Sequence, residues 1–494
     1  MIFRSTRGQA PEMDLSGAVI QGIAPDKGLY VPVEFPKLEK DWADYAAMDY
    51  KTLAAEVLRP YAGEFTEEEL KACIDGAYTD KFEAEDVVPL VHAGGADFLE
   101  LYHGPTAAFK DMALALMPYF MTTAMAKKQE DKTVCILVST SGDTGMAALK
   151  GFEDVPGTCI IVFFPDHAVS PVQEQQMRTA TGSNTYVTSI FGNFDDAQTT
   201  QKAILNDRPF GEEVGALGYR FSAANSMNVG RLLPQVAYYV WAYAQMVKNG
   251  RVKAGEPINI CVPSGNFGNL LSAYYAMQMG VPVNRLICAS NKNNVLTDFF
   301  NTGVYDARRE FYVTNSPSMD IIISSNLERL LYHLGGCDDV AVRAMMDSLA
   351  ENKCYEATDA VKAGLSGFAA GYATEEEILA AIGDIYASDH YLMDTHTAVA
   401  YKVWREYVQK TGDETPAVIA STASPYKFAA AVSGAIGLPE AEDEFAAIEA
   451  LSQASGVPVP YGLKDLKSRK VLHAGAIPRE EMKDFVRETI RGRQ

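Results

Sequence analysis

The 494-residue sequence predicts an α/β protein with a two-lobed core of parallel-rich sheets and a helical N-terminal domain ahead of it. Three observations carry that expectation. A unit of apolar β-branched run, tight polar loop and helix-forming stretch occurs three times, starting near residues 133, 258 and 417. Further strand candidates alternate with helical segments between these units, which is the grammar of parallel sheets. The chain is also longer than one hydrophobic core usually serves.

Taken in order, residues 1–88 read as mainly helical. Thr66 stands three residues ahead of Glu69 and just before Leu70, the signature of a capping box. The acidic stretch Glu83-Ala84-Glu85-Asp86 before Pro89 marks a boundary, so the catalytic core is expected over 89–494, with a small lobe at roughly 131–225 inserted in the larger one. In the first repeated unit, Thr133 to Thr140 reads as a strand, Ser141-Gly142-Asp143-Thr144-Gly145 as a loop, and Met146 to Phe152 as a helix. In the second, Ile258 to Val262 leads into Ser264-Gly265-Asn266-Phe267-Gly268 and a helix from Asn269 to Met279. In the third, Ala417 to Ala420 leads into Ser421-Thr422-Ala423-Ser424 and a helix near Pro425. Thr158 to Phe164, Thr185 to Ile190 and Leu286 to Ala289 are additional strands, and Leu232 to Trp241 reads as a buried helix. A second capping box, Thr374 to Glu377, opens a helix in the C-terminal part, and the Lys- and Arg-rich tail after Leu463 reads as a solvated helix face. The ligand site is expected beyond the carboxyl ends of the parallel strands.

Composition narrows the function. Forty-three Lys+Arg against 64 Asp+Glu give a net charge of -21, which repels nucleic acid and anionic membrane. The seven cysteines are odd in number, scattered and mostly set in apolar runs, so they read as reduced core residues and not as disulfides or a zinc site. The start has no apolar signal region and no stretch is long and apolar enough to span a bilayer, so a cytoplasmic location is the default expectation. A monomer or weak homo-oligomer acting on a small molecule is expected.

Two loops suit anions. A glycine-bearing loop that runs into a helix turns several backbone N–H groups to one point, and the helix dipole adds about half a positive charge there. Ser264 to Gly268 has that form, and Ser139 to Gly145 is close to it. Each alone is equally consistent with a plain strand-to-helix turn. Neither is a Walker A loop or a three-glycine dinucleotide fingerprint, which disfavours nucleoside triphosphate and NAD enzymes. Together they suggest a ligand with several negative groups, or a phosphorylated cofactor beside an anionic substrate. Ser421, Thr422 and Ser424 offer neutral hydroxyls that could bond a ring nitrogen or simply cap a helix.

Lys110 stands between Phe109 and Asp111 ahead of the apolar run Met112 to Met117. Burial would lower its pKa and free the amine for carbonyl chemistry. The alternative is a snorkelling lysine paired with Asp111 or Glu100. His103, His167 and His396 show no partner in the sequence and read as structural.

The segment His103-Gly104-Pro105-Thr106-Ala107-Ala108-Phe109-Lys110-Asp111 resembles the one that carries the pyridoxal-phosphate lysine in threonine synthases. Ser5-Thr6-Arg7-Gly8, Thr140 to Gly145, Phe194 to Gln198, Asn225 to Gln235, Ser264 to Asn269, Ser316-Pro317-Ser318-Met319-Asp320 and Asp394 to Val399 match that family in order, and the long N-terminal region is similar to its bacterial and fungal branch. The resemblance implies a fold-type II pyridoxal-phosphate enzyme, a carbon–oxygen lyase that converts O-phospho-L-homoserine and water to L-threonine and phosphate. It implies that Lys110 carries the cofactor covalently, that Ser264, Gly265, Asn266, Phe267, Gly268 and Asn269 cradle its phosphate, and that Thr422 bonds its ring nitrogen. Ser141, Gly142, Asp143 and Thr144 would then face the substrate carboxylate, with Asn228 and Arg231 as further substrate contacts. Ser424 and Tyr426 depart from the family, which often has His and Ala before the Lys427-Phe428 pair. The rival readings are a phospho-amino-acid lyase or a threonine or serine dehydratase on the same scaffold, and a non-catalytic anion-binding protein.

Overall fold

A computed structural model describes residues 1–140, 142–167 and 169–493. The N-terminal part pairs two short strands, β1 (Phe3–Ser5) and β2 (Tyr30–Pro32), and carries the helices Leu15–Gln21, Trp42–Ala47, Tyr50–Leu58 and Glu67–Ala77. Thr66 caps the last of these in a complete capping box with Glu69. The hairpin β3 (Leu90–Ala93) and β4 (Ala96–Glu100) follows, and then the short helix Lys110–Leu114. Next come β5 (Thr133–Ser139), β6 (Thr158–Pro165), β7 (Thr185–Phe191) and β8 (Tyr219–Ser222), with helices between them. The helix Val229–Lys248 returns the chain to β9 (Ile258–Pro263) and β10 (Val283–Ser290). A small pair, β11 (Val304–Asp306) with β12 (Cys354–Glu356), precedes β13 (Phe368–Tyr372), β14 (Ala417–Ser421) and β15 (Ala476–Pro478).

The larger sheet runs β13-β10-β9-β14-β4-β3 and is parallel except for the edge hairpin. The smaller runs β15-β7-β6-β5-β8 and is parallel throughout. Strands covered on both faces read as nearly continuous apolar runs, and β6 and β9 are buried at every residue, the polar Asn259 of β9 being hydrogen-bonded to Asp413 and Asn284. The helix Val229–Lys248 is buried over most of its length, with its aromatic residues packed into the core as the sequence predicts. The helix expected near Pro425 opens as a 3₁₀ turn, Pro425–Phe428, before the α-helix Ala429–Ala435.

Two expectations need adjustment. The tail beyond Leu463 is more than a solvated face: β15 joins the edge of the smaller sheet, and the helix Met482–Arg491 buries Met482, Val486 and Ile490 against that lobe while its charged side stays outside. The cysteines are all free, but only Cys73, Cys135, Cys159, Cys261 and Cys288 are buried; Cys337 is exposed and Cys354 partly so. Among the described residues no helix is long and apolar enough to cross a membrane, and no acidic, His or Cys cluster suits a metal ion.

Candidate active site

Four chain segments leave the carboxyl ends of parallel strands and converge. β4, β14 and β9 are neighbours in the larger sheet, so the turns that follow them emerge side by side. They carry Lys110, Thr422 and Ser264 to Gly268 respectively. The β4 and β14 turns are sewn together: Phe109 N–H donates to the Thr422 carbonyl at 2.8 Å, and Ser424 N–H to that of Ala107 at 3.0 Å. From the smaller sheet, the turn after β5 brings in the N-terminus of the helix Asp143–Phe152.

The turn after β9 is a rigid cradle. Phe267 adopts the left-handed conformation at φ 65° as the cap of the helix Gly268–Met279, without a side-chain capping bond. The carbonyl of Asn266 takes both the N–H and the side-chain amide of Asn326, each at 3.1 Å, and the Gly265 carbonyl takes the Ser324 hydroxyl at 2.8 Å. A Cβ on Gly265 would sit 2.9 Å from the Ser318 carbonyl, so only glycine fits there. Among the described residues, the N–H groups of Gly265, Asn266, Phe267, Gly268 and Asn269 have no protein acceptor, and neither does the Thr422 hydroxyl. Free donors at the mouth of a twelve-residue helix are the chemistry a phosphate dianion requires. The side chain of Asn269 lies elsewhere: its Oδ1 accepts the hydroxyls of Tyr238 and Tyr239 inside a helix interface, and its Nδ2 is buried without a partner.

Lys110 is held on its other side. Its Nζ donates to Ser318 Oγ at 3.3 Å and lies 3.7 Å from Asp143 Oδ2. Burial pulls its pKa down to about 8 against the attraction of Asp143, and the charges of Arg231 and Lys427 push the same way. At pH 7 about a tenth of such an amine is neutral, against about one part in three thousand at an unperturbed 10.5. Asp111, the partner considered from the sequence, instead accepts the Thr106 N–H and hydroxyl at 2.8 and 2.7 Å, and burial raises it to about 6. Glu100 pairs with His103 at 2.8 Å.

Asp143 is fully engaged. Its Oδ1 meets Lys427 Nζ at 2.7 Å and the Gln173 amide at 3.0 Å, and its Oδ2 accepts the Ser318 hydroxyl at 3.1 Å. Burial alone would raise this carboxyl, but the ammonium groups of Lys427 and Lys110 outweigh it and hold it well below the usual carboxylate range. Its side chain therefore has no capacity for a substrate carboxylate, whereas among the described residues the N–H groups of Asp143 and Thr144 have no protein acceptor. Gly142 supports this mouth at φ 150°, where a Cβ would strike the Gln173 amide. Ser141 lies outside the described residues.

The two expected substrate contacts differ. Asn228 caps its helix through Oδ1 on the Gly230 N–H and gives Nδ2 to the Val19 carbonyl at 2.9 Å, so its amide is used structurally. Arg231 is buried, donates to the Ala224 carbonyl at 3.1 Å, and keeps Nε without a partner. Among the described residues it has no carboxylate within 4.0 Å, and burial lowers it to about 10. A buried guanidinium with spare donors suits an anion.

Sequence reasoning gave no roles to Ser318, Asn326, Arg329 or Lys427, and read His396 as structural. Ser318 N–H donates to His396 Nε2 at 3.2 Å, and His396 Nδ1 in turn bonds Asp394 at 2.7 Å, so the ring fixes the Ser318 turn. Arg329 is fully buried and ties Asn326 to the carbonyls of Tyr30 and Met227. Thr6 and Arg7 dock on Glu328 beside it at 2.6 and 3.0 Å. Ser318, Lys427, Thr6 and Arg7 fall in stretches that match a family, and that match was their only signal in the sequence.

Comparison with known proteins places the chain in a family. The family model for the threonine synthase N terminus matches residues 2–78, that for pyridoxal-phosphate dependent enzymes residues 98–422, and that for the threonine synthase C-terminal region residues 397–467. The human protein threonine synthase-like 1 is 40% identical over 439 residues, covering 86% of this chain and 58% of its own length. The chain thus spans little more than half of that relative. Threonine synthase of Schizosaccharomyces pombe is 34% identical, covering 88% of this chain and 89% of its own. The crystal structure of PLP-bound threonine synthase from Brucella melitensis superposes with a TM-score of 0.88 at 35% identity, over 99% of this chain and 100% of that one.

Proposed function

The chain belongs to the threonine synthase family of pyridoxal-phosphate-dependent enzymes, and from that premise we propose that it converts O-phospho-L-homoserine and water to L-threonine and phosphate. The observation that carries the reading is Lys110: a buried amine, drawn down to about 8, set between two helix mouths whose N–H groups have no acceptor among the described residues. When bound, pyridoxal phosphate supplies an electron sink that acidifies the carbons next to the substrate amine.

The chain's own residues supply the rest. Gly265 to Asn269 would hold the cofactor phosphate through main-chain amides, and Lys110 would anchor the cofactor covalently. Thr422 would offer the ring nitrogen a neutral hydroxyl, which stabilises a protonated ring less than a carboxylate would. The Asp143 and Thr144 amides receive the substrate carboxylate. Arg231 takes the substrate phosphate, while Asn228 shapes that end of the site through its helix. Lys110 Nζ, once released, removes the α-proton and then a β-proton, because a mobile neutral amine within reach of both carbons can serve each in turn. A net charge of -21 fits a small-molecule enzyme without affinity for nucleic acid, and free buried thiols fit the reducing cytoplasm.

The decisive assay measures phosphate release and threonine formation together from O-phospho-L-homoserine. Equal rates support the reading. Phosphate with 2-oxobutyrate and no threonine would instead make the chain a lyase of the same scaffold. Borohydride reduction of the loaded protein should label Lys110, and a label on any other lysine removes the assignment.

A further inference from the structure

We propose that Lys427 is a positioning residue for the reacting amine: anchored on the Thr106 carbonyl, it clamps the Asp143 carboxylate across the cleft between the two lobes and so fixes the place and charge of Lys110. The inference rests on the reading of Lys110 given above.

The geometry is specific. Lys427 sits in the 3₁₀ turn after β14, on the larger lobe, with a side chain that is 0% exposed. Its Nζ donates to the Thr106 carbonyl at 3.0 Å and meets Asp143 Oδ1 at 2.7 Å. Asp143 belongs to the smaller lobe, at the first residue of the helix after β5. The pair therefore bridges two sheets that share no strand. It also orders the two oxygens of Asp143: Oδ1 is taken by Lys427 and Gln173, which leaves Oδ2 toward Ser318 and Lys110.

A buried ion pair is a poor way to stabilise a fold, because desolvation offsets most of its attraction. Its value here lies in what it does to Lys110. The charged groups acting on that amine are Asp143 from the smaller lobe, Lys427 from the turn after β14 and Arg231 from the long helix. Asp111, one residue along the same helix, is turned to Thr106, and His396 acts at one remove through Ser318. Without Lys427, the only lysine ammonium left beside the desolvated carboxylate would be that of Lys110, which would become a fixed ion pair. Lys427 satisfies the carboxylate first, and the amine keeps a looser contact at 3.7 Å and its freedom to lose a proton.

The test uses the full chain freed of cofactor and recombined with pyridoxal phosphate, following the rate of capture and the affinity against pH by the visible band. Removing the Lys427 charge raises the pH at which Lys110 becomes neutral, so in K427M the capture profile should move up by about one pH unit, with an affinity loss of about tenfold. K427R, which keeps the cation, should recover most of both. The double variant D143N/K427M should return the profile toward that of the parent, since the unpaired carboxylate is gone. A folded K427M with the parental profile and affinity overturns the proposal, as does a K427R whose profile is displaced as far as that of K427M. If K427M does not fold, the K427R and D143N/K427M profiles decide by the same criteria. Failure of the parent chain itself to bind pyridoxal phosphate would instead strike the reading of the site.

Discussion

The two helix mouths that flank Lys110 arise from the same pattern of buried strand, Ser-Gly turn and helix, yet they are electrostatic opposites. The mouth after β9 carries no charged side chain from Ser264 to Asn269; its carbonyls are held by Ser324 and Asn326 and its amides are left free, so it is a neutral frame with a positive opening. The mouth after β5 holds its own anion, Asp143, already matched by Lys427 and Lys110. The difference shows that a glycine turn at a helix start settles only where amides can point. Whether the site receives an anion or supplies one is decided by the next side chain and by what the opposite lobe places against it.

Four measurements bear on that contrast, from the largest effect down. Asp143→Ala leaves two buried ammonium groups without a counterion and should cost about 3–5 kcal/mol in urea unfolding; a loss below about 1 kcal/mol would mean that this mouth does not hold an essential charge.

Next comes pH. In the cofactor-free chain the Lys110 pKa is about 8 against 10.5 unfolded, so the unfolded chain binds the extra proton between those values and this residue makes stability rise with pH across that window. Asp111, raised from 3.8 to about 6, works the other way: the folded chain holds the proton more tightly, and stability falls as pH climbs from about 4 to 6. Lys110→Met should make the alkaline slope less positive and Asp111→Asn should make the slope between about pH 4 and 6 less negative in thermal melts, each relative to the parent, and an unchanged slope refutes the corresponding assignment.

Gly265→Ala drives a methyl against the Ser318 carbonyl and Met319, at a cost of about 1–3 kcal/mol, read as about a tenfold or greater loss of pyridoxal-phosphate affinity. Gly268→Ala meets Asn326 only at 3.5 Å and should bind nearly as the parent does. Equal losses in the two would deny the cradle its close fit. Asn326→Ala is the mildest for cofactor binding: the Asn266 carbonyl loses one donor but keeps the Asn326 N–H, so affinity should drop by about 1 kcal/mol, a few-fold, while the lost acceptor of the buried Arg329 shows in stability instead.

Strand positions, the helix mouths and Lys110 were legible because each rests on local physics. β5, β6 and β9 are mostly apolar since both faces are covered, and Thr66 and Thr374 sit at capping boxes whose spacing is fixed by one helical turn. The tail was less legible: Met482, Val486 and Ile490 make an apolar stripe that says a face is buried but not against what.

Taken alone, the sequence determined the order of strands and helices, the places where free amides gather, and an amine in apolar surroundings, because those follow from hydrogen bonding and burial within a few residues. Only the tertiary structure decided that Asp143 answers to Lys427 and not to a ligand, that Asp111 belongs to Thr106, and that Asn326 and Arg329 brace the cradle. Each of those pairings spans separate elements, and the strength of a charge in a protein depends on distances and desolvation that exist only once the lobes have closed on each other.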